Sequence, residues 1–188
     1  MSQPELLKRL ITALEAAGID YMLTGSIISS AYGAPRLTHD IDVVMQVRPD
    51  QLEQIAQNFP ADRYAFDTIA AAEAIQRKDQ FQLHEFATGD KIDFWVLSDE
   101  PFHRQTFERK TRIELVGIQV WASSKEDLIV QKLSWAQWYE SDKQFTDALD
   151  MYETNLRNLD LIHIKQWIAT LKLEEIWSRL LREAQPLE

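Results

Sequence analysis

The chain has 188 residues, the size of one domain or of one domain with a helical appendage, and its 45% hydrophobic and 27% charged content excludes disordered and collagen-like classes. A net charge of −10 excludes a broad phosphate-backbone footprint, and the lack of cysteine excludes disulfides, thiolate metal sites and cysteine nucleophiles. No apolar run approaches the ~18 residues that cross a bilayer, and "MSQPELLKRL" lacks the basic start and apolar centre of a secretory signal. A cytosolic protein that does not engage membranes is therefore expected.

In chain order, residues 4–17 place Leu6, Leu7, Leu10, Ile11 and Leu14 at helical spacing, with Pro4 suited to the first turn and Gly18 to the end. "DYMLTG" reads as a short strand ending at Gly25, and "SIISSAYG" as a helix from Ser26 to about Gly33. "DIDVVMQV", rich in β-branched residues, predicts a second strand, and Pro49 precedes a helix over about 50–58. The middle of the chain is less regular. There "FQLHEF" and "KIDFWVL" flank the turn signal "ATGD" and predict two adjacent antiparallel strands. A helix near 99–110 and a strand pair over "TRIELVGIQVWA" follow. The rest reads as three helices, with Ser123 or Ser124 capping the first and Asp160 capping "LIHIKQWIATLK". The pattern predicts an α+β fold: a mixed β-sheet with flanking helices over residues 1–122, then a C-terminal helical segment, 123–188, packed on that core.

Side chains alternate across a strand, so Asp40 and Asp42 face one way while Ile41 and Val43 face the other. An isolated pair of this kind more often marks a solvated strand edge than a site. The context differs here, because Asp93 in "KIDFWV" is another acid alone among strand-like apolar neighbours. With its strand beside that of Asp40, three carboxylates meet on one face, the oxygen-donor set that suits Mg²⁺ together with substrate phosphates. Gly25 and Ser26 supply the complementary part, since a glycine lets the backbone approach a ligand and N–H groups at a helix start attract phosphate.

Gly25-Ser26, thirteen intervening residues, Asp40-Ile41-Asp42 and a later Asp93 together resemble the signature of the polymerase-β-like nucleotidyltransferase superfamily, over residues 21–96. "PRLTHDIDVV" is similar to a group of small bacterial nucleotidyltransferases, and residues 123–152 to the helical part of abortive-infection toxin-type members. The resemblance implies that Gly25 and Ser26 hold the triphosphate of an NTP. It also implies that Asp40, Asp42 and Asp93 hold two Mg²⁺ ions (or Mn²⁺), and that Lys132 and Asp147 complete the catalytic set. Lys132 would also meet the nucleotide, and Arg36, in the loop before Asp40, would contact phosphate. The family pattern often carries an arginine a turn or two beyond the lysine, where this chain has Trp135, Trp138 and Tyr139.

The resemblance implies transfer of a nucleoside monophosphate from an NTP to a hydroxyl acceptor, with Asp93 as the best general base. The acceptor is open among protein, tRNA and small molecule. Arg104, Arg109, Lys110 and Arg112 form a basic stretch, which near a helix end complements the dipole. An alternative is a non-catalytic nucleotide- or metal-binding module or toxin–antitoxin component, with Trp135, Trp138, Trp167 and Trp177 as core or as the surface for a partner protein or second copy. A metal-dependent phosphohydrolase is disfavoured, because His39, His84, His103 and His163 fall in no ligand spacing.

Overall fold

The computed structural model describes residues 2–35 and 37–185. The chain divides by its internal contacts into two units, Met1–Ile27 with Leu37–Ala122, and Ile28–Arg36 with Ser123–Glu188.

The first unit begins with α1 (Gln3–Ala16), whose Leu6, Leu7, Leu10, Ile11 and Leu14 form the buried stripe set by their spacing. Strand β1 (Asp20–Thr24) runs into α2 (Gly25–Tyr32), and β2 (Asp40–Gln46) follows. A short 3-10 turn at Pro49–Gln51 leads into α3 (Leu52–Ala56), then β3 (Tyr64–Phe66), α4 (Thr68–Arg77) and the hairpin of β4 (Gln80–Glu85) with β5 (Lys91–Val96). Helix α5 (Pro101–Glu108) and the hairpin of β6 (Thr111–Leu115) with β7 (Ile118–Ala122) close the unit.

The seven strands form one mixed sheet in the order β3-β4-β5-β2-β1-β7-β6. β2 pairs with β5 and β1 with β7 in parallel, and the remaining neighbours are antiparallel. On one face Tyr21, Leu23, Ile41, Val43, Met45, Ile92 and Phe94 are buried and make the core. There Phe81 stacks on Phe94 with ring centroids 4.9 Å apart, and Phe66 flanks the pair at 6.0 and 6.1 Å. On the other face Phe107 of α5 packs with Met22, Leu97 and Val44. The next residues along that face are polar, and they make the site described below.

Two elements of this unit, β3 and α4, fall where the residue pattern predicts none. β3 has three residues, too few for an alternation to register. α4 buries Ala71, Ala74 and Ile75, and a face made of alanine gives a weak periodic signal. Its start was nevertheless marked, since Asp67 caps it by accepting from the N–H groups of Ile69 and Ala70.

In the second unit the helices are α6 (Lys125–Trp138), α7 (Asp142–Asn155), α8 (Leu161–Thr170) and α9 (Glu174–Glu183), four where three are expected. α8 and α9 are separated at Lys172, which takes a left-handed φ of 58° that glycine would normally announce. Ser124 caps α6 and Asp160 caps α8, as their positions predict. Leu128, Ile129, Leu133, Ala148, Met151, Ile164 and Leu180 are buried. Residues 28–35 belong to this unit in detail. Tyr32 Oη donates to the Ser123 carbonyl at 2.9 Å and Asn155 Nδ2 to the Tyr32 carbonyl at 2.7 Å. A Cβ at Gly33 would lie 3.2 Å from the Met151 nitrogen. Trp167 and Trp177 are core, Tyr152 meeting Trp177 edge-on at 5.5 Å, whereas Trp138 is 69% exposed. No helix among the described residues is long and apolar enough to cross a membrane.

Candidate active site

The alternation of β2 does what its sequence requires: Ile41 and Val43 are fully buried, and Asp40 and Asp42 are half-buried on the opposite face. The parallel register then sets Asp42 beside Asp93 and Asp40 beside Lys91. β5 alternates in the same phase, so Lys91, Asp93 and Trp95 share the face of the β2 aspartates. Thr24, the last residue of β1, lies across from Asp42 on the other side.

Gly25 follows Thr24 with φ +68°, and a Cβ built there would fall on Asp42 Oδ2 and within 2.6 Å of its Cγ. Glycine is thus required twice, by the left-handed backbone and by the carboxylate that occupies the side-chain space. Ser26 follows in the first turn of α2. The Gly-Ser step and Asp42 are therefore immediate neighbours, although sixteen residues lie between Gly25 and Asp42 in the sequence.

Lys91 and Trp95 escaped the sequence reading, and both donate to these acids. Lys91 Nζ donates to Asp93 Oδ2 at 2.8 Å and stands 3.7 Å from Asp40 Oδ1. Its pKa is raised, chiefly by the hydrogen bond to Asp93, against partial burial and with further help from the charges of Asp93, Asp40 and Asp42. Trp95 Nε1 donates to Asp42 Oδ1 at 3.4 Å. The signal that finds both is the strand period applied to "KIDFW", which puts positions 91, 93 and 95 on one face.

Asp93 is 6% exposed, and its Oδ1 is buried with no hydrogen-bond partner among the described residues. A buried acceptor left so costs on the order of 1–3 kcal/mol, a cost that an incoming proton donor or cation relieves. Among the described residues no group of three or more His, Asp or Glu side chains is arranged to hold a metal ion. Among the described residues, the Lys91 ammonium is a positive charge set beside Asp40 and Asp93.

Lys132 and Asp147 lie in the second unit, where they pair with each other. Lys132 is 1% exposed and its Nζ donates to Asp147 Oδ2 at 2.7 Å, the same oxygen that Ser29 Oγ approaches at 3.5 Å. Lys132 is thus a buried ion-pair member on α6, and its charge is matched within the unit. Arg36 lies outside the described residues.

The remaining polar candidates have structural partners. His39 Nδ1 is 2.9 Å from Asp90 Oδ1, and His163 Nε2 is 2.6 Å from Asp127 Oδ1, joining α8 to α6. In the basic stretch, Arg104 pairs with Asp99, Lys110 with Asp20 at 3.1 Å, and the Arg112 guanidinium lies 5.0 Å from the Trp121 ring centre.

No protein-family model and no curated protein matches the sequence. Solved structures do match it in fold. One is the antibiotic-resistance factor ANT(2'')-Ia, 14% identical, covering 94% of this chain and 95% of that chain with a TM-score of 0.53. Another is an antigenic nucleotidyltransferase-like protein from Paracoccidioides brasiliensis, 18% identical, covering 100% of this chain and 96% of that chain with a TM-score of 0.54. A seven-stranded mixed sheet flanked by helices and continued by a helical C-terminal part has, in this chain, the nucleotidyltransferase fold.

Proposed function

We propose that the protein is a divalent-cation-dependent nucleotidyltransferase, moving a nucleoside monophosphate from an NTP to a hydroxyl acceptor. The observation that carries this reading is the convergence, in one unit, of Asp40, Asp42 and Asp93 on a sheet face with the Gly25-Ser26 step against Asp42. Nucleotide chemistry needs both halves, a carboxylate set and a phosphate cradle.

The residues fit Mg²⁺ or Mn²⁺ by their chemistry. The donors are all carboxylate oxygens, as hard cations prefer, and Asp93 Oδ1 is an acceptor without a partner among the described residues. Asp40, Asp42 and Asp93 would be the ligands. When bound, the cations supply charge neutralisation and polarise the phosphate and hydroxyl oxygens.

The protein's own part is positioning. The backbone at Gly25 and Ser26, with the Ser26 hydroxyl, takes the triphosphate. The acceptor oxygen forms a bond to the α-phosphorus while the bond from that phosphorus to the β-phosphate oxygen breaks, and pyrophosphate leaves. Asp93 accepts the hydroxyl proton through a carboxylate oxygen that a cation does not occupy. Lys132 and Asp147 are proposed for the catalytic set from the resemblance alone; with each other they form a buried ion pair. The acceptor is a small molecule, a protein or a tRNA. The net charge of −10 favours an acceptor recognised without an extended phosphate backbone.

The test is incubation with each α-³²P-labelled NTP and Mg²⁺ or Mn²⁺, offering RNA, lysate protein and small-molecule extracts as acceptors. Transfer of label or release of pyrophosphate by the wild type, lost in Asp42→Asn, is the expected result. Mg-nucleotide binding by calorimetry without turnover supports the binding-module alternative, and neither binding nor turnover ends the nucleotidyltransferase reading.

A further inference from the structure

We infer that Lys91 is a resident counter-ion of the carboxylate face, holding Asp40 and Asp93 through its ammonium and releasing them when a divalent cation takes the same oxygens. The inference rests on the cation-binding reading above and adds a residue that competes with the cation.

Its basis is placement. The register puts Lys91 directly beside Asp40, and the strand period puts it two residues from Asp93 on the same face. Nζ is within hydrogen-bond distance of one acid and ion-pair distance of the other, at 2.8 and 3.7 Å. An ammonium has three donors and no acceptor, so it cannot join a metal's coordination shell. It occupies carboxylate lone pairs that a cation needs, and at such separations its charge repels a dication strongly.

The side chain is also built to leave. It is 29% exposed, whereas Asp93 beside it is 9% exposed at the side chain, so the lysine has a path to solvent that the acid lacks. A flexible four-carbon stem carrying a compact, strongly hydrated charge is released more readily than a planar guanidinium forked across two carboxylates. The consequence is a site whose carboxylates stay partly neutralised until a divalent cation arrives with enough charge to displace one ammonium.

The experiment compares full-length wild type, Lys91→Met, Lys91→Arg and Asp42→Asn for Mn²⁺ binding without nucleotide, read by the electron paramagnetic resonance of free Mn²⁺ at fixed ionic strength. Lys91→Met should bind on the order of tenfold more tightly than wild type, Lys91→Arg no more tightly, and Asp42→Asn more weakly. On the wild type alone, acetylation of Lys91 by an N-hydroxysuccinimide ester, followed by peptide mass spectrometry, should accelerate severalfold in saturating Mn²⁺. That measurement decides the matter if Lys91→Met does not fold. Unchanged Mn²⁺ affinity in Lys91→Met, or unchanged Lys91 labelling at saturation, overturns the role of Lys91 while Asp42→Asn still reports on the cation site. Absence of Mn²⁺ binding in every folded variant overturns the cation-site reading as well.

Discussion

At Gly25 the backbone turns with φ +68° into the first turn of α2, and the space over its Cα belongs to the Asp42 carboxylate. Two independent penalties therefore meet a Gly25→Ala substitution, left-handed strain and a side-chain clash. It should lower stability by about 1–3 kcal/mol in urea unfolding, and abolish Mg-nucleotide binding, because Asp42 must move to make room. Retained nucleotide affinity in a Gly25→Ala protein of native far-ultraviolet dichroism would show that this cradle is not the phosphate site. At this scale the aspartates were legible in the sequence, since an acid in an apolar strand is conspicuous. Lys91 was not, for a lysine at a strand end looks like ordinary solvent exposure until the register places Asp40 beside it. That Lys132 is buried against Asp147 was not legible either, since helical spacing alone does not say whether a lysine turns to water or to a buried partner.

Among the elements, the β6–β7 hairpin was legible from its alternation, but its turn carries a cost that composition alone hides. Val116 and Gly117 take φ values of 46° and 77°, the pattern of a turn with both central residues left-handed. Glycine accepts that conformation and a β-branched valine does not. Val116 is also 44% exposed, so its side chain contributes little burial in return. Val116→Asn should therefore raise stability by about 0.5–1 kcal/mol, seen as a melting temperature higher by a few degrees. A lower melting temperature would mean that the valine side chain contributes more packing than its exposure suggests. β3 and α4 escaped the sequence for the reverse reason, their signals being short or made of alanine, while tertiary packing of Phe66, Ala71 and Ile75 makes them definite.

For the whole molecule, the acidic balance has a direct consequence. With net charge −10 and Arg104, Lys110 and Arg112 engaged by Asp99, Asp20 and Trp121, no extended cationic surface remains along that stretch for a polyanion. Fluorescence anisotropy with random-sequence DNA at ~150 mM salt should show no binding in the micromolar range, where basic nucleic-acid-binding proteins bind non-specifically. Micromolar binding would place nucleic acid among the acceptors despite the charge. By itself the sequence determined the order of most elements, the opposite faces of Asp40 and Asp42 against Ile41 and Val43, and the Gly25-Ser26 step at a strand-to-helix turn. These follow from local rules: the two-residue period of a strand, the 3.6-residue period of a helix and the conformational freedom of glycine. Only the tertiary structure decided which strands lie side by side, because pairing partners are chosen by packing across long stretches of chain. That choice put Asp42 next to Asp93, set Lys91 between the acids, and gathered residues 28–35 with the C-terminal helices.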